Sequence, residues 1–390
     1  MYTLNDICSV ITDGSHFSPE DEGSGYPMLS VKDMRDTDFD FSSCKFVGEE
    51  AFQKLLANGC KPEINDVVVA KDGSYLKSAF PIKEDRAIAL LSSIAILRPK
   101  LELVDPEYLS YFLKSDSVYR TVSLNYISGT ALKRIILKGI KKIPIALPSI
   151  EDQVYRVKLL EKTYGIIQQR KKQLIELDNL IKARFVEMFG DPASNPMGWP
   201  ETTVGNVCHY IKDGPHKSLP DIGQENGGHP FISVRNIVNH VIDFSTAKYI
   251  SDEDYAEARK KCSPEKGDML YSKGGTTGIA KLVDIDVEFA NWVHLAVLKF
   301  DHSVLDGIFF ENMLNCDYCY DQSQRLTKGI ANRDLVLSAM AQIKIYRPPM
   351  VLQEQFAAFV AQVDKSKSAI QKALDKAQLL FDSLMQQYFG

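Results

Sequence analysis

Two stretches of the chain carry the same four-residue pattern, Asp13-Gly14-Ser15-His16 and Asp213-Gly214-Pro215-His216. A glycine turn with polar flanks exposes backbone donors and side chains to whatever surface lies opposite. His16 and His216 are therefore candidate ligand contacts; the competing reading is a turn whose histidine caps a helix or fills a pocket. A second pair of turns, Lys71-Asp72-Gly73-Ser74 and Lys273-Gly274-Gly275-Thr276-Thr277-Gly278, looks like a phosphate loop but lacks the closing Gly-Lys-Ser/Thr. Such a turn can still set backbone N–H groups against an anion. Two further stretches, Thr130-Ala131-Leu132-Lys133-Arg134 and Ile330-Ala331-Asn332-Arg333, offer phosphate contacts, or else the solvated face of a helix.

Catalytic chemistry is not expected. Amino-methyltransferases hold the base's amino group with an Asn/Asp-Pro-Pro-aromatic motif, and neither Asn195-Pro196-Met197 nor Arg347-Pro348-Pro349-Met350 fits it. No glycine-rich cofactor loop follows a strand near the start of the chain. Cys316 and Cys319 form a lone Cys-x-x-Cys without a second pair at zinc spacing. Cys8 and Cys208 occupy equivalent apolar positions and read as small core residues. The expectation is a chain with no catalytic residue, no metal and no cofactor of its own.

At 390 residues the chain is too long for one ordinary core, and 45% hydrophobic with 25% charged residues is a globular composition. The net charge of −5 hides local structure. Between Lys114 and Lys142 seven basic residues stand against one acid, Asp116, and between Arg325 and Arg347 five stand against Asp334. A phosphate-binding face needs only such local excess, so the overall sign excludes nothing. No run reaches the length of a membrane span, and the first residues lack a basic and then apolar signal pattern. Seven cysteines in such a chain suggest reduced thiols. A cytoplasmic protein with no membrane partner is expected.

The elements that must position these turns come in two copies. Thr3-Leu4 and Cys8 recur as Thr203-Val204 and Cys208, displaced by 200 residues. Pro27 to Lys32 returns as Pro230 to Arg235, Asp66 to Gly73 as Asp268 to Gly275, and Ile143 to Pro148 as Ile343 to Pro348. Both copies close on Phe-Gly, at Phe189-Gly190 and Phe389-Gly390. One order kept at nearly one offset identifies an internal duplication.

The first 150 residues of each copy alternate short β-type runs, such as Asp66 to Ala70 and Leu295 to Phe300, with Gly, Pro and Asn/Asp punctuation. That is an α+β signature. A short helix is expected over Pro106 to Ser115. The last 40 residues of each copy differ: from about Glu151 to Glu187 and from about Val351 to Tyr388 there is no proline and one glycine, Gly165. Apolar residues recur there at steps of four and three. One seam runs through Val157, Leu160, Tyr164, Ile167, Leu174, Leu177, Ile181 and Met188, with Lys171 in its gap. The other runs through Phe356, Val360, Val363, Ile370, Leu374, Ala377, Phe381, Leu384 and Tyr388, with Lys367 in its gap. Two long helices pairing as an antiparallel coiled coil are expected, each roughly 55–60 Å long. The competing reading packs each helix on its own domain. Four segments result: domains over 1–150 and 191–350, and helices over 151–190 and 351–390.

Ser128-Gly129-Thr130, then Lys138 to Ser149 and Glu151-Asp152-Gln153, resembles the end of a target recognition domain in type I restriction–modification specificity (S) subunits. There a Gly-Thr turn, an Ile-Pro-Ile-x-Leu-Pro strand and a Glu-x-Gln helix start follow in this order. Ile343 to Gln355 keeps the pattern in the second copy, although Ile330-Ala331-Asn332 departs from it. The Asp-Gly-x-His turns look like the family's N-terminal loop. The resemblance implies a non-catalytic, pseudo-twofold scaffold whose two domains read the halves of a split, asymmetric site in double-stranded DNA. It implies two methyltransferase (M) subunits that use S-adenosylmethionine, and restriction (R) subunits that use ATP and Mg. The expected DNA contacts in the first domain are His16, Lys32, Lys71, Ser74, Tyr75, Lys77, Lys133 and Arg134. In the second they are His216, Lys217, Arg235, Asn236, Lys273, Thr276, Thr277, Lys328 and Arg333, with Arg235 and Asn236 suited to guanine and adenine edges. The alternatives are a stand-alone DNA-modifying enzyme and a tandem DNA-binding or interaction module.

Overall fold

The run Val67-Val68-Val69-Ala70 forms a strand with every side chain buried, because the sheet containing it is covered on both faces. Val67 and Val69 enter one core while Val68 and Ala70 enter another, the period-two alternation of a pleated strand. The structure is a computed structural model that describes residues 1–390 except Ser74, 129–133 and 330–332.

Contacts divide the chain into two units, one comprising Met1–Lys171 and Gln371–Gly390, the other Lys172–Ile370. In the first unit a four-stranded antiparallel sheet runs in the order Cys8–Asp13, Ile94–Pro99, Val67–Ala70, Ala79–Pro81. A three-stranded sheet orders Lys45–Val47, Tyr26–Leu29 and Ala89–Leu90, the last pair parallel. The second unit repeats both: Cys208–Asp213, Leu295–Phe300, Met269–Ser272, Ala280–Leu282, and Lys248–Ile250, His229–Ile232, Ala290–Asn291. Even the register shifts recur, between Cys8 and Val10 and between Cys208 and Tyr210. The duplicated sequence is thus a duplicated topology.

Helix Pro106–Leu113 starts where Asp105 accepts a hydrogen bond from the Tyr108 N–H at 2.9 Å, with proline at its first position. It ends two residues before the expected Ser115, because Ser115 caps the next helix, Asp116–Asn125. Their counterparts are Gly307–Asn315, capped by Asp306, and Asp317–Leu326.

Both long helices are present, Ile150–Phe189 and Met350–Phe389, and the division into units falls inside each of them. This differs from the four segments read in the sequence, where each helix stands apart from the domains. In the first unit Val157, Leu160 and Phe389 join the domain core, with Phe381, Leu384 and Tyr388 packed beside it. Arg156 lies 5.0 Å from the Tyr388 ring and Tyr164 lies 6.1 Å from Phe381, so these helix segments run antiparallel. In the second unit Ile181, Phe185 and Phe189 share a core with Phe356, Val360 and Val363. There Arg184 lies 5.7 Å from the Phe359 ring and Lys367 pairs with Asp178 at 2.7 Å, again antiparallel. Every seam residue is buried or half-buried. The helix segments serve domain cores as well as one another, which merges the two packing readings. Among the described residues no helix is long and apolar enough to cross a membrane.

Candidate nucleic-acid interface

Gly14 and Gly214 are glycines for a steric reason. A Cβ on Gly14 would stand 2.0 Å from the Leu90 carbonyl oxygen, and one on Gly214 would stand 1.7 Å from that of Asn291. The turn therefore presses against the last strand of the three-stranded sheet, where Ser15 N–H donates to the Leu90 carbonyl at 2.7 Å. His16 and His216 then project outward and exposed.

The aspartates of the two motifs face inward and anchor the second turn. Asp13 pairs with Lys71 at 2.7 Å, both side chains about nine-tenths buried (8% and 11% exposed). Asp213 lies 3.4 Å from Lys273, whose ammonium also meets Asp334 at 2.9 Å. Backbone bonds complete the frame: Ile135 N–H donates to the Lys71 carbonyl at 2.8 Å, and Leu335 N–H to that of Lys273 at 2.7 Å. In each domain one aspartate–lysine pair thus locks the histidine turn, the Lys turn and the segment carrying Arg134 or Arg333 together. Excellent geometry is what lets a buried pair offset its desolvation.

In the second unit this frame surrounds an open cleft of about 510 Å³, lined by His216, Lys273, Gly275, Val293, His294, Arg333 and Asp334. His294 packs its ring over Gly274, where a Cβ would lie 1.9 Å from Nδ1. The cleft floor is rigid backbone and its rim is imidazole and guanidinium, an arrangement suited to an anionic, hydrogen-bond-accepting ligand.

Of the expected contacts, the structure exposes His16, Lys32, Lys77 and Arg134 in the first domain, and His216, Lys217, Arg235, Thr276, Lys328 and Arg333 in the second. Ser74 and Lys133 lie outside the described residues. Five others are buried and correct the expectation that they face a ligand directly. Lys71 and Lys273 are consumed by the ion pairs above. Tyr75 stacks on Tyr119 at 5.3 Å, its hydroxyl 3.1 Å from Ser123. Thr277 accepts from Thr327 at 3.1 Å. Asn236 accepts from the Ser233 N–H at 2.9 Å and donates to the Asp243 carbonyl at 2.9 Å, closing a capping box.

Sequence reasoning missed the anchoring role of Asp13 and Asp213, although their repetition beside the histidines was a signal. It also missed His294 and Gln324. Their counterparts are Ser93 and Ser123, so the repeat pointed to neither. Among the described residues no cluster of His, Cys, Asp and Glu could hold a metal ion.

Two α+β domains of one topology, each presenting a glycine turn and a basic rim and each joined to a long helix, define a duplicated recognition protein. The chain belongs to the type I restriction modification DNA specificity domain family, whose model matches residues 1–177 and again 196–379. The MjaX type I restriction enzyme specificity subunit of Methanocaldococcus jannaschii is 22% identical over 405 residues, spanning 96% of this chain and 90% of that one. The crystal structure of a type I restriction–modification S subunit from M. genitalium matches with a TM-score of 0.59 at 16% identity, covering 100% of this chain and 95% of that one. A chain from a study of complex assembly and conformational transition in the type I R-M system gives 0.56 at 16%, covering 99% and 96%. Both solved structures share the fold. Family membership makes this chain a type I DNA-specificity component and not a catalytic one.

Proposed function

We propose that each domain reads one half of a bipartite, asymmetric site in double-stranded DNA, and that the long helices fix the spacing between the halves as an antiparallel coiled coil. The observation that carries this reading is one frame bearing two different rims. The aspartate–lysine lock recurs, while the side chains around it change from Ser93 and Ser123 to His294 and Gln324. A shared frame with divergent rims is what two unlike half-sites require. The exposed residues named above contact DNA; the buried five hold them in place.

In this reading the helices also dock two methyltransferase subunits, which use S-adenosylmethionine to methylate adenine N6. Restriction subunits using ATP and Mg complete the assembly in the cytoplasm. The isolated chain then binds DNA weakly, since its net charge of −5 leaves most of the electrostatic attraction to partners. Co-expression with its genomic neighbours, followed by mapping of methylated bases, tests the proposal. A two-part adenine motif is expected, with one part altered by exchanging residues 1–150. Turnover by the pure chain with DNA, Mg²⁺ and S-adenosylmethionine would instead establish an enzyme, and an absence of sequence preference would establish an interaction module.

A further inference from the structure

Arg333 stands exposed on the rim of the second unit's cleft, and its direction is set by one neutral amide. Its Nη2 donates a short hydrogen bond to Oε1 of Gln324. The other end of that amide, Nε2, donates to the Thr277 carbonyl at 3.0 Å and to Ser323 Oγ at 3.0 Å. The amide is polar in one sense only: turned over, it would set donor against donor at the guanidinium and acceptor against acceptor at Thr277. Helix Asp317–Leu326 therefore fixes the glycine turn and the arginine through the same side chain. Gly278 lets the turn come this close, since a Cβ there would meet Ser323 Oγ at 2.4 Å.

The neighbouring carboxylate does not compete. Asp334 is taken by Lys273 at 2.9 Å, and among the described residues Arg333 has no carboxylate partner. Its charge is held in place without being neutralised. In the first domain Arg134 occupies the backbone position of Asp334, bridging Asp72 as Asp334 bridges Gly274, and its guanidinium lies 3.9 Å from the Asp72 carboxylate. There the helix position matching Gln324 is Ser123, beside the Tyr75 hydroxyl. An arginine free to rotate loses side-chain freedom when it binds, whereas one already oriented loses less.

We infer that Gln324 is a positioning residue, which pre-orders Arg333 to contact a backbone phosphate of the second DNA half-site. The inference rests on the DNA-reading function proposed above. It is tested on the complex assembled with its methyltransferase subunits, by measuring affinity for a duplex carrying the mapped site across a range of salt. Arg333→Ala should lower affinity and reduce the salt slope by about one. Gln324→Leu keeps the charge, so affinity should fall about three- to ten-fold with the slope unchanged, and in the Arg333→Ala background Gln324→Leu should cost nothing further. Gln324→Glu neutralises the guanidinium in place and should reproduce the reduced slope. Thermal unfolding of Arg333→Ala should match the parent, while both Gln324 variants lose the bond to the Thr277 carbonyl; the different salt slopes of Gln324→Leu and Gln324→Glu are therefore a readout that a purely structural role would not give. If Arg333→Ala leaves affinity unchanged, the DNA reading of this cleft fails. If Arg333→Ala matters and Gln324→Leu does not, or if their effects simply add, the positioning role is overturned. Loss of discrimination at one base pair with an unaltered slope would replace the phosphate by a base edge.

Discussion

The side-chain carbonyl of Gln153 accepts the backbone N–H of Asp105 at 2.9 Å, while its amide donates to the carbonyls of Leu103 and Pro148, each at 3.0 Å. Asp105 is itself the cap of helix Pro106–Leu113, so one fully buried side chain ties the start of the long helix to the start of a domain helix. Gln353 repeats every bond, to Asp306 at 2.9 Å, Val304 at 3.2 Å and Pro348 at 2.7 Å. Replacing Gln153 with leucine leaves one donor and two acceptors without their partner, and should cost about 2–3 kcal/mol in denaturant unfolding. A loss below a few tenths would show that water takes over these groups.

The turn glycines should be intolerant in a manner their ordinary dihedrals do not suggest. Gly214→Ala forces a methyl group against the Asn291 carbonyl, and overpacking of this kind costs roughly 1–3 kcal/mol. In the assembled complex, mapping of modified sites should show weakened use of the second half-site while preference in the first is kept. Equal weakening of both halves would contradict the separate frames.

The aspartate–lysine lock should behave as a pair. Lys71→Met strands a nearly buried carboxylate and should destabilise the first unit by about 3 kcal/mol, as removal of one partner of a buried pair does. Adding Asp13→Asn should recover a measurable part of that loss. A double-mutant cycle with zero coupling would show that the ion pair contributes nothing beyond packing.

One thiol should stand out chemically. Cys316 accepts a hydrogen bond from the Cys319 thiol, which holds its pKa below the ordinary value, while burial pushes Cys319 well above. The thiolate is the nucleophile, so a lowered pKa means that alkylation of Cys316 turns on at lower pH than for an ordinary cysteine. With iodoacetamide at neutral pH, peptide mapping should find Cys316 modified first. Cys8, Cys208 and Cys262, pushed up by burial to about 12, about 12 and about 11, should react only after unfolding. Cys316→Ser should abolish the fast phase.

Much of the fold was legible because it depends on local pattern and on repetition. The seam through Phe356, Val360 and Val363 follows from steps of four and three, and all three are buried. What resisted reading depended on partners distant in the chain. Lys71 reads as a surface cation until Asp13, 58 positions earlier, is seen beside it. Gln153 lies in a helix's first turn, where polar residues usually face water, yet three backbone groups of other segments enclose it. Asn236 was the avoidable error. Ser233-x-x-Asn236 is a capping pattern, and Ser30-x-x-Asp33 repeats it, so an internal bond was the better inference than a base contact.

Because Phe389 packs against Tyr108 at 5.0 Å and Phe112 at 6.3 Å, the first domain draws part of its interior from residues translated almost 280 positions later. The second unit, Lys172–Ile370, is continuous in sequence and falls between the two sequence segments of the first. During synthesis the inner unit can close its core while the outer one still waits on the ribosome, holding exposed apolar surface for chaperones to shield. A premature stop just beyond Ile370 would accordingly spare the later-made domain and cripple the earlier-made one.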